Sequence, residues 1–294
     1  MLFLTYCIIL GINKFATHLK ILKPVRFDGL LDKGGSTKPW MVSCIDEDAE
    51  VIAEIPCALK LFSTSHVNNA NCIGKEFLCN LLATEFDLAV PEAYLIDAFN
   101  PDFYGTLQVD AQLDLANRFK GISFGSKLID ATILNPQIKS NSFDIYDCAM
   151  VFAFDCLILN QDRGGHRNKP NLMVNDEGLT LIDHELTFHF TDGNQDDAYN
   201  AVMGEFQHNG WFPTYRTHIF YQRLKSYRSA NKQNLFDTFE EYLGKLDINA
   251  IKVAVAQLEK CDITVGQKEL LFQYLRILKK ETHKFCRILL SLIA

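Results

Sequence analysis

Residues 172–174 and 179–182 form two short apolar runs, and the four residues between them are all turn formers. This pattern predicts a β-hairpin, whose pairing register decides which side chains meet. If Val174 lies opposite Leu179, the same register sets Asn171 opposite Ile182, next to Asp183. The hairpin is therefore expected to bring an amide and a carboxylate together at its open end.

The open end of this hairpin carries the oxygen atoms that Mg²⁺ prefers. Magnesium usually binds through one or two protein carboxylates together with phosphate oxygens, so the sparse pair of Asn171 and Asp183 suits it. Asp162 lies upstream on a glycine-rich bend, where it can orient or deprotonate an attacking hydroxyl. These are the components of a phosphoryl-transfer site. Aspartate and asparagine are also common turn residues, so the alternative is that each one only stabilises a turn.

The composition is that of an ordinary globular protein, with 294 residues and 48% hydrophobic content, which fits one two-lobed domain or two small ones. A net charge of −7 and a pI near 5.6 argue against broad nucleic-acid binding, although a local basic groove is compatible with them. The nine cysteines include no CxxC pair. Neither a disulfide framework nor a zinc site is therefore predicted, and a reducing, cytoplasmic location is expected.

Residues 1–12 are apolar, which raises the question of a membrane segment. A spanning helix needs about 20 residues, and the basic flank of a signal peptide is missing. We interpret residues 1–16 as an N-terminal extension, or their apolar part as a first buried strand. No stable membrane insertion is expected, and membrane association is the minor alternative.

Residues 17–125 combine short strand-like runs with one helix, whereas residues 126–294 are mostly helical. The predicted strands are 19–27, 40–44, 51–55, 58–62 and 91–96, and the predicted helices are 74–86, 145–159, 236–246, 249–260 and 265–292. Residues 105–116 are expected to form an insertion or further strand. The pattern predicts an α+β fold of two lobes, a small β-rich N-lobe (17–125) and a larger helical C-lobe (126–294), with a nucleotide-binding cleft between them.

Gly34, Gly35, Ser36 and Thr37 lie between two predicted strands. Glycines let the backbone approach a phosphate closely, and the N–H groups of such a loop can point at the anion. The spacing is not that of a Walker A motif, so a plain hairpin turn is the alternative.

Lys60 lies in an otherwise apolar strand, so its ammonium needs a partner if the strand is buried. Glu76, near the start of the following helix, is the candidate. Protein kinases hold nucleotide phosphates with a strand lysine that is paired with a helix glutamate. In the alternative, Lys60 faces solvent and Glu76 only favours the helix N-terminus through its dipole.

His166 and His184 flank the predicted site, which suggests a metal hydrolase as an alternative. The chain has no HExxH motif, and residues 183–184 read Asp-His rather than the His-Asp pair of phosphohydrolases. The spacing therefore disfavours this class.

Several short motifs occur in an order that resembles the HipA-like kinases and, more distantly, the lipid-kinase-like branch of the same fold. The most specific are Asn160-Gln161-Asp162-Arg163, Asn168-Lys169-Pro170-Asn171-Leu172 and Leu181-Ile182-Asp183-His184. Gly-Gly-Ser at 34–36, Ala-Leu-Lys-Leu at 58–61 and Phe-Gly-Ser at 124–126 support them. The resemblance covers roughly residues 19–190.

The resemblance implies a bilobal protein-kinase-like fold, ATP as the phosphoryl donor, Mg²⁺ as the metal, and a serine or threonine hydroxyl of a protein as the acceptor. It implies that Asp162 is the catalytic base and Asp183 the chief Mg²⁺ ligand. Lys60 would bind phosphates with Glu76 as its ion-pair partner. The hinge that meets adenine would be Ser126, Lys127 and Leu128, and the phosphate-covering loop Gly34, Gly35, Ser36 and Thr37.

Two departures from the family pattern affect the metal site. The residue five positions after Asp162 is Arg167, and the candidate asparagines are Asn168 and Asn171. The family pattern points to Asn168 and the hairpin register to Asn171, so both stay open. Glu185 replaces the glycine that often follows the metal-binding aspartate by two residues. These changes leave room for a catalytically weak or inactive member, and a nucleotide-binding pseudokinase is therefore one alternative. A small-molecule or lipid kinase is the other, because the sequence shows no readable acceptor pocket.

Overall fold

The structure is a computed structural model that describes residues 19–31, 38–135, 142–164, 169–193 and 196–294. The fold is mixed α/β, with a strand-rich N-terminal part and a helical C-terminal part. The strands are β1 (Ile21–Leu30), β2 (Trp40–Ile45), β3 (Ile55–Lys60), β4 (Ala93–Ile96), β5 (Ser123–Lys127), β6 (Thr132–Ile133), β7 (Leu172–Asn175) and β8 (Gly178–Leu181). The α-helices are α1 (Thr64–Ala70), α2 (Cys72–Glu85), α3 (Pro101–Thr106), α4 (Val109–Ala116), α5 (Ile145–Leu157), α6 (Asp196–Gln207), α7 (Tyr221–Ser226), α8 (Asp237–Lys245), α9 (Ile248–Glu259), α10 (Lys268–Lys280) and α11 (Thr282–Leu292).

The chain divides into two compact units. The first contains the described residues up to Leu81, together with Pro91–Asp130 and Asn249–Val265. The second contains Leu82–Val90, Ala131–Ile248 and Gly266–Ala294. Helix α9 thus belongs almost wholly to the first unit, although the sequence pattern grouped it with the helical half.

The first unit is built on a closed barrel with the strand order β1-β2-β3-β5-β4. Neighbours are antiparallel except β1 and β4, which pair in parallel through Ile21 with Leu95 and Leu22 with Ile96. Within the described residues, closure leaves this barrel without a free edge that could pair with another chain. Helices α3 and α4 pack on the same core through Phe103, Leu107 and Leu115, and Trp40 Nε1 donates to Asp114 Oδ2 at 3.1 Å.

Helix α2 begins against the end of the segment that follows α9. A Cβ atom built on Gly74 would overlap the backbone carbonyl of Thr264 and lie 3.2 Å from Val265 Cγ1. Only a glycine lets these two backbones approach so closely. The position of the helix that carries Glu76 therefore depends on Gly74.

We expect Gly74→Ala to lower the free energy of unfolding by about 1–3 kcal/mol, because backbone rather than a movable side chain blocks the added methyl group. Urea denaturation would measure the loss. Gly105→Ala is the matched control, since a Cβ at Gly105 in α3 meets nothing within 4 Å. It should be neutral or stabilising by up to about 1 kcal/mol. Equal stability of the two variants would contradict the close approach.

The second unit combines helices with a three-stranded sheet of order β6-β7-β8. Helix α5 is buried along most of its length, from Cys148 to Leu157. Phe86 packs on Phe154 of α5 at 5.7 Å between ring centroids and stacks on Phe239 of α8 at 4.7 Å. A hydrogen bond joins this sheet to the rest of the second unit, because Leu181 N in β8 donates to Ala89 O at 2.8 Å.

The predicted hairpin is present in the predicted register. Val174 pairs with Leu179 and Leu172 with Leu181, and Ile182 N donates to Asn171 O at 3.2 Å. In the turn, Asn175 Oδ1 accepts from Glu177 N at 3.0 Å. Strand β6, which the sequence pattern did not predict, adds to the outer edge of β7.

Three predicted elements were wrong. Residues 51–54 are not a strand, and their apolar side chains face solvent, with Val51 79% exposed. Residues 105–116 are largely helical, since they hold the end of α3 and all of α4. The cap of α3 was the missed signal, because Asn100 Oδ1 accepts from Asp102 N and a proline follows at the first helical position. The single helix predicted for 265–292 is two helices that meet at Glu281.

No helix among the described residues combines the length and apolarity that a bilayer crossing requires. The apolar residues 1–12 lie outside the described part of the chain.

Candidate functional site

Asp155 lies near the end of α5 and is buried at 2% exposure. Helix α5 starts where Asp144 caps it by accepting from Tyr146 N at 2.7 Å, and its apolar sides place it inside the second unit. A buried carboxylate must be paired and hydrogen-bonded, because transfer from water otherwise costs several kcal/mol. Asp155 is therefore expected to organise the groups around it.

Three side chains donate to the Asp155 carboxylate. Arg163 Nε lies 2.8 Å from Oδ2, and Asn160 Nδ2 lies 2.8 Å from Oδ1. The third donor is His218, whose Nε2 is 2.9 Å from Oδ2. Arg163 is itself only 2% exposed. The result is a buried charge network beneath the loop that carries Asp162.

The protonation state of this network follows from its contacts. Burial would raise the pKa of Asp155, but the Arg163 guanidinium and the hydrogen bond from His218 outweigh it and hold the pKa well below its usual range. Burial also lowers the pKa of His218, against the opposing effect of Asp155. His218 Nδ1 accepts from Phe220 N at 3.1 Å. Its proton is therefore on Nε2, and His218 is a neutral donor to an ionised Asp155.

Arg163 connects the network to both strands of the hairpin. Its Nη1 donates to the backbone carbonyl of Asn171 and to that of Ile182 at 2.9 Å. These carbonyls belong to the two residues at the open end of the hairpin, and Asp183 follows directly. One buried guanidinium thus joins the loop of Asp162 to the residues that precede β7 and follow β8.

Asp162 is held through its backbone and its carboxylate. Its N–H donates to Asn160 Oδ1 at 3.0 Å, so Asn160 bridges Asp155 and the Asp162 backbone. Asn171 Nδ2 donates to Asp162 Oδ2 at 3.0 Å and to Asp162 O at 3.1 Å. Asp162 and Asn171, nine residues apart in the sequence, are therefore in direct contact.

Asn171 and Asp183 both adopt left-handed backbone conformations, with φ of 47° and 66°. Asparagine and aspartate tolerate this region better than other non-glycine residues, and such conformations are enriched at functional sites. Because the Asn171 amide nitrogen donates to Asp162, its oxygen is the side-chain atom suited to bind a cation. The carboxylate of Asp183 and this amide oxygen are hard ligands of the kind that Mg²⁺ takes.

Lys60 and Glu76 form an ion pair within the first unit. Alternation along β3 buries Cys57 and Leu59 in the barrel core and turns Lys60 to the other side, where its side chain is 13% exposed. The Glu76 side chain is 2% exposed. The solvent-facing alternative for Lys60 is therefore wrong, and the predicted pairing is present.

Ser126 and Lys127 lie at the end of β5, between β3 and β4. Lys127 N donates to Glu92 O at 2.9 Å, and Leu128 N donates to Pro56 O at 2.8 Å. The backbone donors of Lys127 and Leu128 are thus engaged in the barrel. Gly34, Gly35, Ser36, Thr37 and Asn168 lie outside the described residues.

Asp155 and His218 carry no motif that identifies them in the sequence. For Asp155 one signal is present, an aspartate within the apolar run 145–159, which needs a partner if the helix is buried. Nothing marks His218, which is 63 residues further along the chain.

A family model described as HipA-like kinase matches residues 33–254. A comparison with curated proteins found no match. Among solved structures, the chain is similar to the crystal structure of a proinflammatory kinase, CtkA, from Helicobacter pylori. The identity is 13%, the TM-score is 0.43, and the match covers 84% of this chain and 92% of that chain. The family match spans more than half of the chain and includes residues of both compact units.

Proposed function

Because the chain belongs to the HipA-like kinase family, we propose that this phosphotransferase uses ATP and Mg²⁺ to phosphorylate a serine or threonine hydroxyl of a protein. We also propose that its two units are the lobes of a bilobal protein-kinase-like fold. The observation that carries the proposal is the contact between Asn171 Nδ2 and Asp162 Oδ2 at 3.0 Å, at the hairpin end where Asp183 follows Ile182.

In the proposed reaction, Asp162 is the catalytic base. The acceptor hydroxyl attacks the γ-phosphorus of ATP, the bond to the bridging oxygen of the leaving ADP breaks, and the hydroxyl proton passes to the Asp162 carboxylate. Two contacts position Asp162 before substrate arrives: the Asn171 amide donates to Oδ2 of its carboxylate, and the Asn160 side chain accepts from its backbone N–H. Such positioning is the main contribution of a protein to phosphoryl transfer.

Asp183 and the Asn171 amide oxygen are the proposed protein ligands of Mg²⁺. When bound, the ion would neutralise phosphate charge and align the phosphate oxygens. The contacts of Asn171 support its assignment, and Asn168 stays the alternative that the family pattern suggests. The left-handed backbone at both Asn171 and Asp183 is the local feature that suits a binding role.

Lys60 is the proposed phosphate-binding lysine, and Glu76 keeps its ammonium in place. We propose that Gly34, Gly35, Ser36 and Thr37 cover the phosphates. For adenine, the N–H groups of Lys127 and Leu128 already donate within the barrel, and Ser126 pairs with Ala58 of β3, so backbone groups of the residues that follow are also needed to contact the base. The hinge is therefore proposed to extend to residues 129–131.

The proposal is tested by Asp183→Asn, which keeps the side-chain shape and removes the anionic ligand. We expect Mg-ATP affinity to fall at least about tenfold and phosphate transfer to casein, a general acceptor, to be lost, because an amide binds Mg²⁺ less well than a carboxylate. Calorimetry would measure binding, and mass spectrometry would measure transfer.

The control is Asp192→Asn, a carboxylate nine positions along the chain from Asp183 that has no proposed role. Unchanged Mg-ATP affinity in Asp183→Asn would refute the metal assignment. If wild-type protein binds Mg-ATP but transfers no phosphate to any acceptor, the pseudokinase alternative holds instead.

A further inference from the structure

The described residues of the second unit include a long stretch without acidic side chains. Between Glu205 and Asp237 the chain carries Arg216, Arg223, Lys225, Arg228 and Lys232, and no aspartate or glutamate. All 36 acidic residues and 24 of the 29 basic residues lie elsewhere. A protein with a net charge of −7 thus concentrates positive charge in one segment, and this segment is the local basic surface that the composition permitted.

Four of these residues, Arg216, Lys225, Arg228 and Lys232, form what we call the basic strip. The Arg216 guanidinium lies over the Tyr215 ring, 5.8 Å from its centroid. Tyr215 contacts Tyr221 edge to face at 5.4 Å, and Lys225 Nζ lies 5.9 Å from the Tyr221 centroid. The strip is therefore continuous from the 3₁₀ turn Pro213–Thr217 to α7.

The far end of the strip brings like charges together. Lys232 Nζ donates to Lys225 O at 3.1 Å and to Ile293 O at 2.6 Å. Burial, then the positive charges of Arg228 and Lys225, lowers the pKa of Lys232. Within the described ranges, no carboxylate forms an ion pair with any member of the strip. Neighbouring positive charges destabilise one another unless an anion lies nearby, so the strip favours an anionic partner.

The strip begins beside the loop of Asp162. His218, two residues after Arg216, donates to Asp155, and Ile219 N donates to Arg163 O at 3.0 Å. Gly164 has a φ of 95°, and a Cβ there would lie 3.1 Å from Ile219 Cβ and N. The segment that carries the strip is therefore packed directly on the residues next to Asp162.

We propose that the basic strip binds an acidic segment of the protein that this kinase phosphorylates, and so holds the acceptor hydroxyl near Asp162. The identification of the partner as the acceptor rests on the proposed function, whereas the binding of an acidic polypeptide does not. The strip lies on and between three short elements, the 3₁₀ turn Pro213–Thr217, α7 and the 3₁₀ turn Ala230–Asn234.

A nucleic acid fits the same surface less well. Single-stranded nucleic acids bind through stacking on open aromatic faces as well as through phosphates. Here Lys225 lies over Tyr221, whose ring also stacks with Phe152 at 6.3 Å, and Arg216 lies over Tyr215. A longer polyanion would also extend over a chain whose acidic residues outnumber its basic ones outside the strip.

The test is binding of a short fluorescein-labelled peptide of glutamates around one serine, measured by anisotropy on the full chain. The variant is Arg216→Gln with Lys225→Gln and Arg228→Gln, all three exposed. The control, matched in charge, is Lys260→Gln with Arg276→Gln and Lys280→Gln, which are also exposed. We expect the strip variant to weaken binding about tenfold or more and the control to weaken it less than about twofold.

The dependence of peptide binding on salt provides a second readout. Raising the ionic strength to about 0.5 M should weaken peptide binding by wild-type protein strongly and by the strip variant little. Equal affinity of the strip and control variants, or a glutamine peptide that binds as well as the glutamate peptide, would overturn the inference. Tighter strip-dependent binding of a labelled single-stranded RNA of equal length would assign the surface to nucleic acid instead.

Binding and transfer separate this inference from the proposed function. Strip-dependent peptide binding without any phosphate transfer would keep the docking surface and reject the kinase activity. Transfer that proceeds while the strip variant binds peptide like wild type would keep the activity and reject the docking surface.

Discussion

Asp162→Asn is expected to lower the rate of phosphate transfer on the order of 10³-fold, while the affinity for Mg-ATP changes little. The amide has the shape of the carboxylate and can stay in place beside Asn171, but it cannot accept the proton of the attacking hydroxyl. Phosphopeptide mass spectrometry with a time course would measure the rate, and calorimetry the affinity. A loss confined to the rate is the signature of a group that acts during the reaction.

Asp176→Asn is the matched control for this variant. Asp176 lies in the turn of the same hairpin, at the end away from Asn171, and is exposed. The Asp176→Asn variant should transfer phosphate at the wild-type rate. An Asp162→Asn variant with undiminished transfer would mean that another group receives the proton, and Asp162 would lose its assigned role.

Asp155→Ala is expected to lower the free energy of unfolding by about 3–5 kcal/mol, because it leaves the buried Arg163 guanidinium without its carboxylate. It also removes the acceptor for Asn160 and His218. A loss of this size is a large part of the stability of an ordinary domain. Urea denaturation followed by circular dichroism would measure it.

Asp147→Ala on the same helix is the control, since Asp147 is exposed and lies in the first helical turn. It should cost less than about 1 kcal/mol. A double variant, Asp155→Leu with Arg163→Met, separates stability from positioning. Removing both charges should restore much of the stability but not the transfer, because the Asn171 and Ile182 carbonyls then lack the guanidinium that joins them. A double variant with wild-type transfer would show that Arg163 does not position the site.

The sequence was most informative where structure is local. Turn residues between two apolar runs determined the hairpin register, because strand side chains alternate with a period of two and a slip would reverse both faces. The pairing of Lys60 with Glu76 followed from a charge in an apolar strand and a carboxylate in the next helix. In both cases the interacting residues are close in the sequence.

The remaining structure depends on contacts between distant residues. Nothing local indicates that β1 pairs in parallel with β4 and closes the barrel. The hydrogen bond from His218 to Asp155 joins residues 63 positions apart in the sequence. Gly74 and Thr264, whose backbones are in close contact, are separated by far more. Val51 and Ile52 show the opposite error, because apolar residues in an exposed loop resemble a strand when only their own segment is considered.

The central claim is that Asp162 acts in the reaction whereas Asp183 binds the metal nucleotide. Titration calorimetry of Mg-ATP into wild-type, Asp162→Asn and Asp183→Asn proteins tests it in one experiment. We predict wild-type affinity in Asp162→Asn and an affinity at least about tenfold weaker in Asp183→Asn. Equal affinities in all three proteins, or a loss only in Asp162→Asn, would contradict the account.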